Sequence, residues 1–171
     1  MSDGDTATEI MCATKRALCC HGYADLTMQD IAAESSKSKA ALHYHYDSKH
    51  DLLCAFLDHL YEQFVALTTD IGGETARDRL LALIDVVLEP PGGDRKELET
   101  ALLEIRAQAP YTPEFRDRLA RFNEHLLGEL SAILEAGVAD GTIAPTLDPE
   151  ATAQFIVTVL VGATTRRATA G

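Results

Sequence analysis

The chain has no tryptophan, and only 6% of its 171 residues are aromatic. A large aromatic-rich β-core is therefore a poor expectation, while abundant alanine and leucine favour packed helices. Positive charge is also scarce. Lys and Arg together number 15 against 27 Asp and Glu, for a formal charge of −12. Taken alone this argues against a nucleic-acid partner, because a phosphate backbone needs cationic contacts. No run of eighteen apolar residues occurs and the first residues are polar and acidic. That supports neither a membrane span nor a signal peptide and suits a cytoplasmic protein. The four cysteines, Cys12, Cys19, Cys20 and Cys54, follow no zinc-ribbon or disulfide-framework spacing; buried thiols in a reducing cytosol are the default expectation.

What is present is apolar material at helical spacing. About 46% of the residues are hydrophobic, enough for one ordinary domain or a small head joined to a larger body. Nothing alternates at period two for long enough to make a strand. After a frayed stretch over residues 1–7, Ile10, Ala13, Ala17 and Leu18 mark a helix from Thr8 to His21, and Gly22 is placed to end it. Thr27 reads as an N-cap with Asp30 returning the cap, ahead of a short helix from Met28 to Glu34. Ser38 caps a second short helix to about His45, and Ser48 opens a long one that Gly72-Gly73 stops. Further helices are expected at 74–89 and 94–108, broken by Pro90-Pro91-Gly92-Gly93. Thr112-Pro113 and Asp148-Pro149-Glu150 each read as a cap followed by proline at the first helical position.

The segment from Thr27 to Lys49 carries the functional signal. Two short helices separated by about three residues make helix-turn-helix geometry, in which the first helix braces and the second enters the major groove. Ile31, Ala32 and Leu42 supply the shared core, leaving Lys39, Ala41, His43 and Tyr44 to face outward. Four of the five lysines lie in the first 49 residues, yet residues 1–52 hold five bases against eight acids, a balance of −3. A DNA contact must therefore come from a local patch. The acidic balance suits either work in concentrated salt, where screening suppresses self-repulsion, or an ordinary acidic surface.

The stretch LTMQDIAAESSKSKAALHYHYDSKHDLL closely resembles the signature of the TetR/AcrR family of transcriptional regulators. The matching positions are Thr27, Ile31-Ala32, Ser38-Lys39, Leu42, His43, Tyr44, His45, Tyr46 and Ser48-Lys49, with Ile10, Ala13, Gly22 and Tyr23 upstream. The resemblance is strong over roughly residues 8–55; beyond it only the run of amphipathic helices matches. It departs at Ser36 and Lys37, where the family usually has glycine and a small hydrophobe, and at Ala40 and Ala41, where Gly and Thr are usual.

The resemblance implies an all-α protein with a three-helix DNA-binding head, residues 1–47, followed by a helical effector-binding and dimerisation body, residues 48–171. It implies a homodimer that binds a palindromic double-stranded operator and is released by a small-molecule effector of unknown identity. The dimer surface falls on the helices at about 113–139 and 149–167. The expected DNA-binding residues are Thr27, Ser38, Lys39, Ala41, His43, Tyr44, His45 and Lys49. Each has a plainer role beside it: Thr27 as a cap, Lys39 and Lys49 as solvated surface, His45 as packing. Tyr46 belongs to the core. His50 and Cys54, four apart, are weak evidence for a metal, and no metal, cofactor or enzymatic reaction is expected. In the body, Phe64, Leu83, Ile84, Val87 and Leu126 are core first and pocket wall second. Glu104, Arg106, His59 and His125 can orient a polar ligand. The alternative reading is a helical dimeric ligand-binding or interaction protein that has lost DNA binding.

Overall fold

A computed structural model describes residues 3–89 and 95–170, with the side chains of residues 3–5, 95, 96 and 170 left outside the description. Among the described residues there are eight helices and no strand. They are α1 (Asp3–Asp25), α2 (Met28–Ala33), α3 (Lys39–His45), α4 (Lys49–Thr68), α5 (Ala76–Leu88), α6 (Arg95–Gln108), α7 (Pro113–Ala139) and α8 (Pro149–Ala170). The expected Pro90–Gly93 break lies outside the described residues.

Helix starts follow the caps. Thr27 accepts from the backbone N–H of Asp30 while the Asp30 carboxylate accepts from that of Thr27, a reciprocal box repeated by Thr75 and Asp78 at α5. Ser38 caps α3 and Asp148 caps α8 through the N–H of Ala151 at 3.0 Å. Some expectations are corrected. α1 begins at Asp3, so the first described residues are helical, and it passes through a break at Gly22 (φ 70°, ψ 173°) before ending at Asp25. α4 stops at Thr68, ahead of the glycines, where the chain turns through Asp70 at φ 56°. The thiols are not uniformly buried: Cys54 is, but Cys12 and Cys20 are exposed and Cys19 is half-buried. The buried stripe of α1 runs through Ile10, Ala13, Ala17 and Leu18, which turns Cys12 and Cys20 outward.

The chain divides into two compact units, Met1–Leu60 with Asp94–Leu119, and Tyr61–Gly93 with Ala120–Gly171. In the first unit, Ile31 and Leu42 of the helix-turn-helix close on Leu18 of α1, Leu53 and Phe56 of α4 and Ile105 of α6, all fully buried or nearly so. Burial of side chains this size contributes about 1.5–3 kcal/mol each, and the small head needs this shared core to hold α3 in place. In the second unit, Leu83 of α5, Leu130 and Leu134 of α7 and Ala153 and Leu160 of α8 form the centre.

Gly137 of α7 shows how tightly that centre is packed. A Cβ there would stand 2.5 Å from Ile143 Cδ1 and 2.8 Å from Ala76 Cβ. Gly137→Ala should therefore destabilise the protein by about 1–3 kcal/mol in chemical denaturation, although alanine is the better helix former by about 1 kcal/mol. An increase in stability would show that the α5–α7 contact yields without cost.

Candidate nucleic-acid interface

The helix-turn-helix is built from the cap inward. Thr27 is exposed, and its hydroxyl is committed to Asp30, donating to Oδ2 at 2.6 Å and accepting the Asp30 N–H at 3.3 Å. Hydrogen bonds from Thr27 hold the Asp30 carboxyl below its ordinary value. The box therefore stabilises the fold fully above the usual carboxylate pKa and weakens only as pH falls through the lowered one. Ser38 spends its oxygen on the N–H of Ala41 at 3.2 Å. Both residues cap helices, which leaves their free backbone N–H groups directed out of helix starts that suit an anion.

On α3, Leu42 is fully buried and anchors the helix. Lys39, His43, Tyr44 and His45 are exposed, while Ala41 is half-buried. Tyr44 is 86% exposed, packed only edge-on against the His45 ring at 5.2 Å between centroids. An aromatic ring presented to water from a well-anchored helix is placed for contact with a base edge or thymine methyl. Tyr46, by contrast, is half-buried against the core, and burial raises its phenol pKa.

Lys49 is placed differently from its neighbours. It is half-buried, its ammonium donates to the Tyr23 carbonyl at 3.0 Å, and it lies 5.0 Å from the centre of the Tyr23 ring. The Tyr23 N–H is held from α6 by the Glu104 carboxylate, and its ring meets Phe115 of α7 edge-on at 6.1 Å. Tyr23 is thus gripped at its N–H, carbonyl and ring. Glu104, a candidate ligand-orienting residue on sequence, has a structural partner here.

The turn is where the sequence places it, but the contacts that hold it are not legible there. Ser36 needs no glycine, because among the described residues Asp70 is the only non-glycine residue at positive φ. Instead the Glu9 carboxylate of α1 accepts the Ser36 N–H at 2.9 Å and stands 3.7 Å from the Lys37 ammonium. Arg16 of α1 bonds the Glu34 carboxylate at 3.2 Å and also donates to its carbonyl. Lys37 and Arg16 are therefore engaged within the head, and Lys39 is the lysine that the helix-turn-helix turns fully outward.

His50 Nε2 is 3.6 Å from Cys54 Sγ and 3.9 Å from Glu114. Among the described residues no three His, Cys, Asp or Glu side chains are placed to hold a metal ion. In the second unit His125 bonds the buried hydroxyl of Thr68 at 2.8 Å, edge-on to Tyr61 and Phe64. Leu83, Ile84, Val87 and Leu126 belong to its core. Among the described residues no helix is long and apolar enough to cross a membrane.

These elements define a helix-turn-helix protein, and comparison with known proteins agrees. Residues 10–56 match the bacterial regulatory proteins of the tetR family, and residues 76–171 match the C-terminal part of BetI-type transcriptional repressors. The chain belongs to the TetR family of transcriptional regulators. It is 30% identical over 138 residues to HTH-type transcriptional regulators of Mycobacterium tuberculosis (Rv1556) and Mycobacterium bovis (Mb1581). That covers 80% of this chain but only 64% of those relatives' length. A TetR transcription regulator from Haloarcula marismortui superposes with a TM-score of 0.89 at 44% identity, covering 95% of this chain and 86% of that one. A TetR-family regulator from Rhodococcus sp. gives 0.78 at 27% identity, with 95% and 87% covered.

Proposed function

We propose that this protein is a cytoplasmic, homodimeric DNA-binding regulator that represses transcription from a palindromic operator and releases it when a small molecule binds. The observation that carries this reading is α3. It is anchored by one buried leucine and turns Lys39, His43, Tyr44 and His45 to solvent together. Thr27 and Ser38 cap the starts of α2 and α3, whose remaining free N–H groups suit phosphate; Ala41, its own N–H taken by Ser38, lies beside that start as a small side chain, and Lys49 adds a contact only through donors left over from Tyr23. The DNA-reading part is taken as residues 1–47 and the effector and dimer part as 48–171. We assign the protein no reaction and no resident cofactor.

The test is selection of random duplexes by the purified protein at a stated salt concentration, followed by variants. Tyr44→Ala should weaken operator binding by about 1–3 kcal/mol and relax preference at one base position. Lys39→Gln should weaken operator and random DNA alike, and flatten the log-affinity against log-salt slope by about one unit per protomer. Lys49→Gln is a poorer probe, since it also removes the bond to Tyr23, so its helicity must be followed with its affinity. A Tyr44→Ala protein with unchanged operator preference would remove α3 from base reading.

A second reading, a dimeric helical ligand-binding or interaction protein without DNA binding, draws support from the same electrostatics. The head carries more acids than bases, and Arg16, Lys37 and Lys49 are all engaged internally. Absence of any duplex binding by the wild type at low salt would favour it.

A further inference from the structure

The turn between α2 and α3 lacks both usual means of holding such a turn. Ser36 is exposed and Lys37 half-buried, so neither contributes an apolar side chain to the core. The Glu9 carboxylate, arriving from α1, takes that place. One oxygen accepts the Ser36 N–H at 2.9 Å and the other faces the Lys37 ammonium at 3.7 Å. Hydrogen bonding from Ser36, and then the charge of Lys37, hold the Glu9 carboxyl below its ordinary value. Two turns further along the same helix face, Arg16 holds Glu34, the C-cap of α2, by side chain and carbonyl. Inside the turn the Ser35 hydroxyl accepts the Lys37 N–H at 2.9 Å and donates to the Lys37 carbonyl at 3.2 Å. The next residue is Ser38, the N-cap of α3.

We propose that Glu9 is a positioning residue for base reading: it clamps Ser36 and Lys37 to α1 and so sets the angle at which α3 presents His43 and Tyr44. This rests on the DNA-binding reading above. The physical distinction lies in what each kind of DNA contact tolerates. Attraction to phosphate is long-ranged and indifferent to small tilts of a helix. Base readout depends on directed hydrogen bonds and close apolar contacts, and a tilted helix loses them. A carboxylate–amide bond is charge-assisted and stronger than its neutral counterpart, so one such bond can replace a glycine-and-hydrophobe turn. Lys37, which on sequence only departs from the usual small hydrophobe, becomes a strut of the turn.

The test compares wild type with Glu9→Ala and Glu9→Gln, reading the exchange rate of the Ser36 amide and the ratio of operator to random-duplex affinity. Glu9→Ala should speed Ser36 exchange about tenfold as the turn opens locally. It should cut the operator-to-random ratio about tenfold, the worth of one good base contact. Random-duplex affinity should stay level or rise, because a negative charge has left an acidic head. Glu9→Gln keeps a carbonyl acceptor for the Ser36 N–H and should recover most of the ratio. An unchanged ratio with faster Ser36 exchange would overturn the positioning role, and unchanged exchange would overturn the clamp itself. Equal loss on both DNAs would also overturn it, showing general destabilisation. If wild type shows no sequence preference, it is the DNA-binding reading that fails, and the exchange measurement still decides whether the clamp exists.

Discussion

Gly22→Ala should lower the stability of the protein by about 3 kcal/mol or more, because two costs fall on the same atom. Gly22 sits at φ 70°, ψ 173°, a region that is nearly glycine-only and costs other residues about 1–3 kcal/mol. Its added Cβ would also stand 3.0 and 3.2 Å from the two Glu104 carboxylate oxygens. Glu104 would have to retreat, and it is the acceptor for the Tyr23 N–H. Weakening a hydrogen bond to a charged group costs about 1.5–3 kcal/mol. The disturbance would spread to Lys49 and Phe115, which hold the carbonyl and ring of the same tyrosine. Gly141→Ala separates the two costs, since Gly141 has φ 81° but nothing within 4 Å of its Cβ. Urea denaturation should show Gly22→Ala worse than Gly141→Ala by at least about 1.5 kcal/mol, the lower end of a lost charged bond. Equal losses would mean that the Glu104 contact contributes nothing.

Gly22, the two caps at Thr27 and Ser38, and the buried Leu42 were all legible in the sequence because each acts over a few residues. A cap bonds three positions ahead, and a buried stripe repeats every three or four. The same locality explains what was missed. Glu9 reaches Ser36 across 27 residues and Glu104 reaches Tyr23 across 81, and nothing in the local pattern of either glutamate marks it as a clamp. From its place at a helix start, Lys49 reads on sequence as a phosphate contact with solvated surface as its plainer role. Its bond to Tyr23 depends on where α1 ends, which periodicity does not give. Ser36 looked unfavourable because glycine is usual there, but that expectation concerned a positive φ that this turn does not adopt. The second box at Thr75 and Asp78 is a different kind of miss, since its residues were in plain view and the helix was started one residue before the cap.

On the homodimeric reading proposed above, Phe155→Asp combined with Val159→Asp should leave a monomer in place of the dimer and cost at least about a hundredfold in operator affinity, the avidity of two linked heads. Apolar residues lie on two sides of α8. Ala153 and Leu160 face the core of their own unit and are buried, while Phe155 is 68% and Val159 50% exposed. A helix apolar on both sides is one that is covered on both sides, and a single chain covers only one. Gly162, beyond Val159 on α8, and Gly128 on α7 have nothing within 4 Å of a built Cβ, leaving room for another helix to approach. A second copy related by a two-fold axis would bring the same patch against itself. Two carboxylates placed there would be desolvated without partners, at a cost of several kcal/mol each. Light scattering at micromolar concentration should then give the mass of one chain for the variant against two for wild type, with helicity unchanged because both positions are exposed within the chain. Gly128→Ala with Gly162→Ala gives an independent check. In an isolated helix each should gain about 1 kcal/mol, but at a close helix–helix contact both methyl groups intrude and the dimer should weaken instead. A double aspartate variant that keeps the dimeric mass would sink this assignment of the interface.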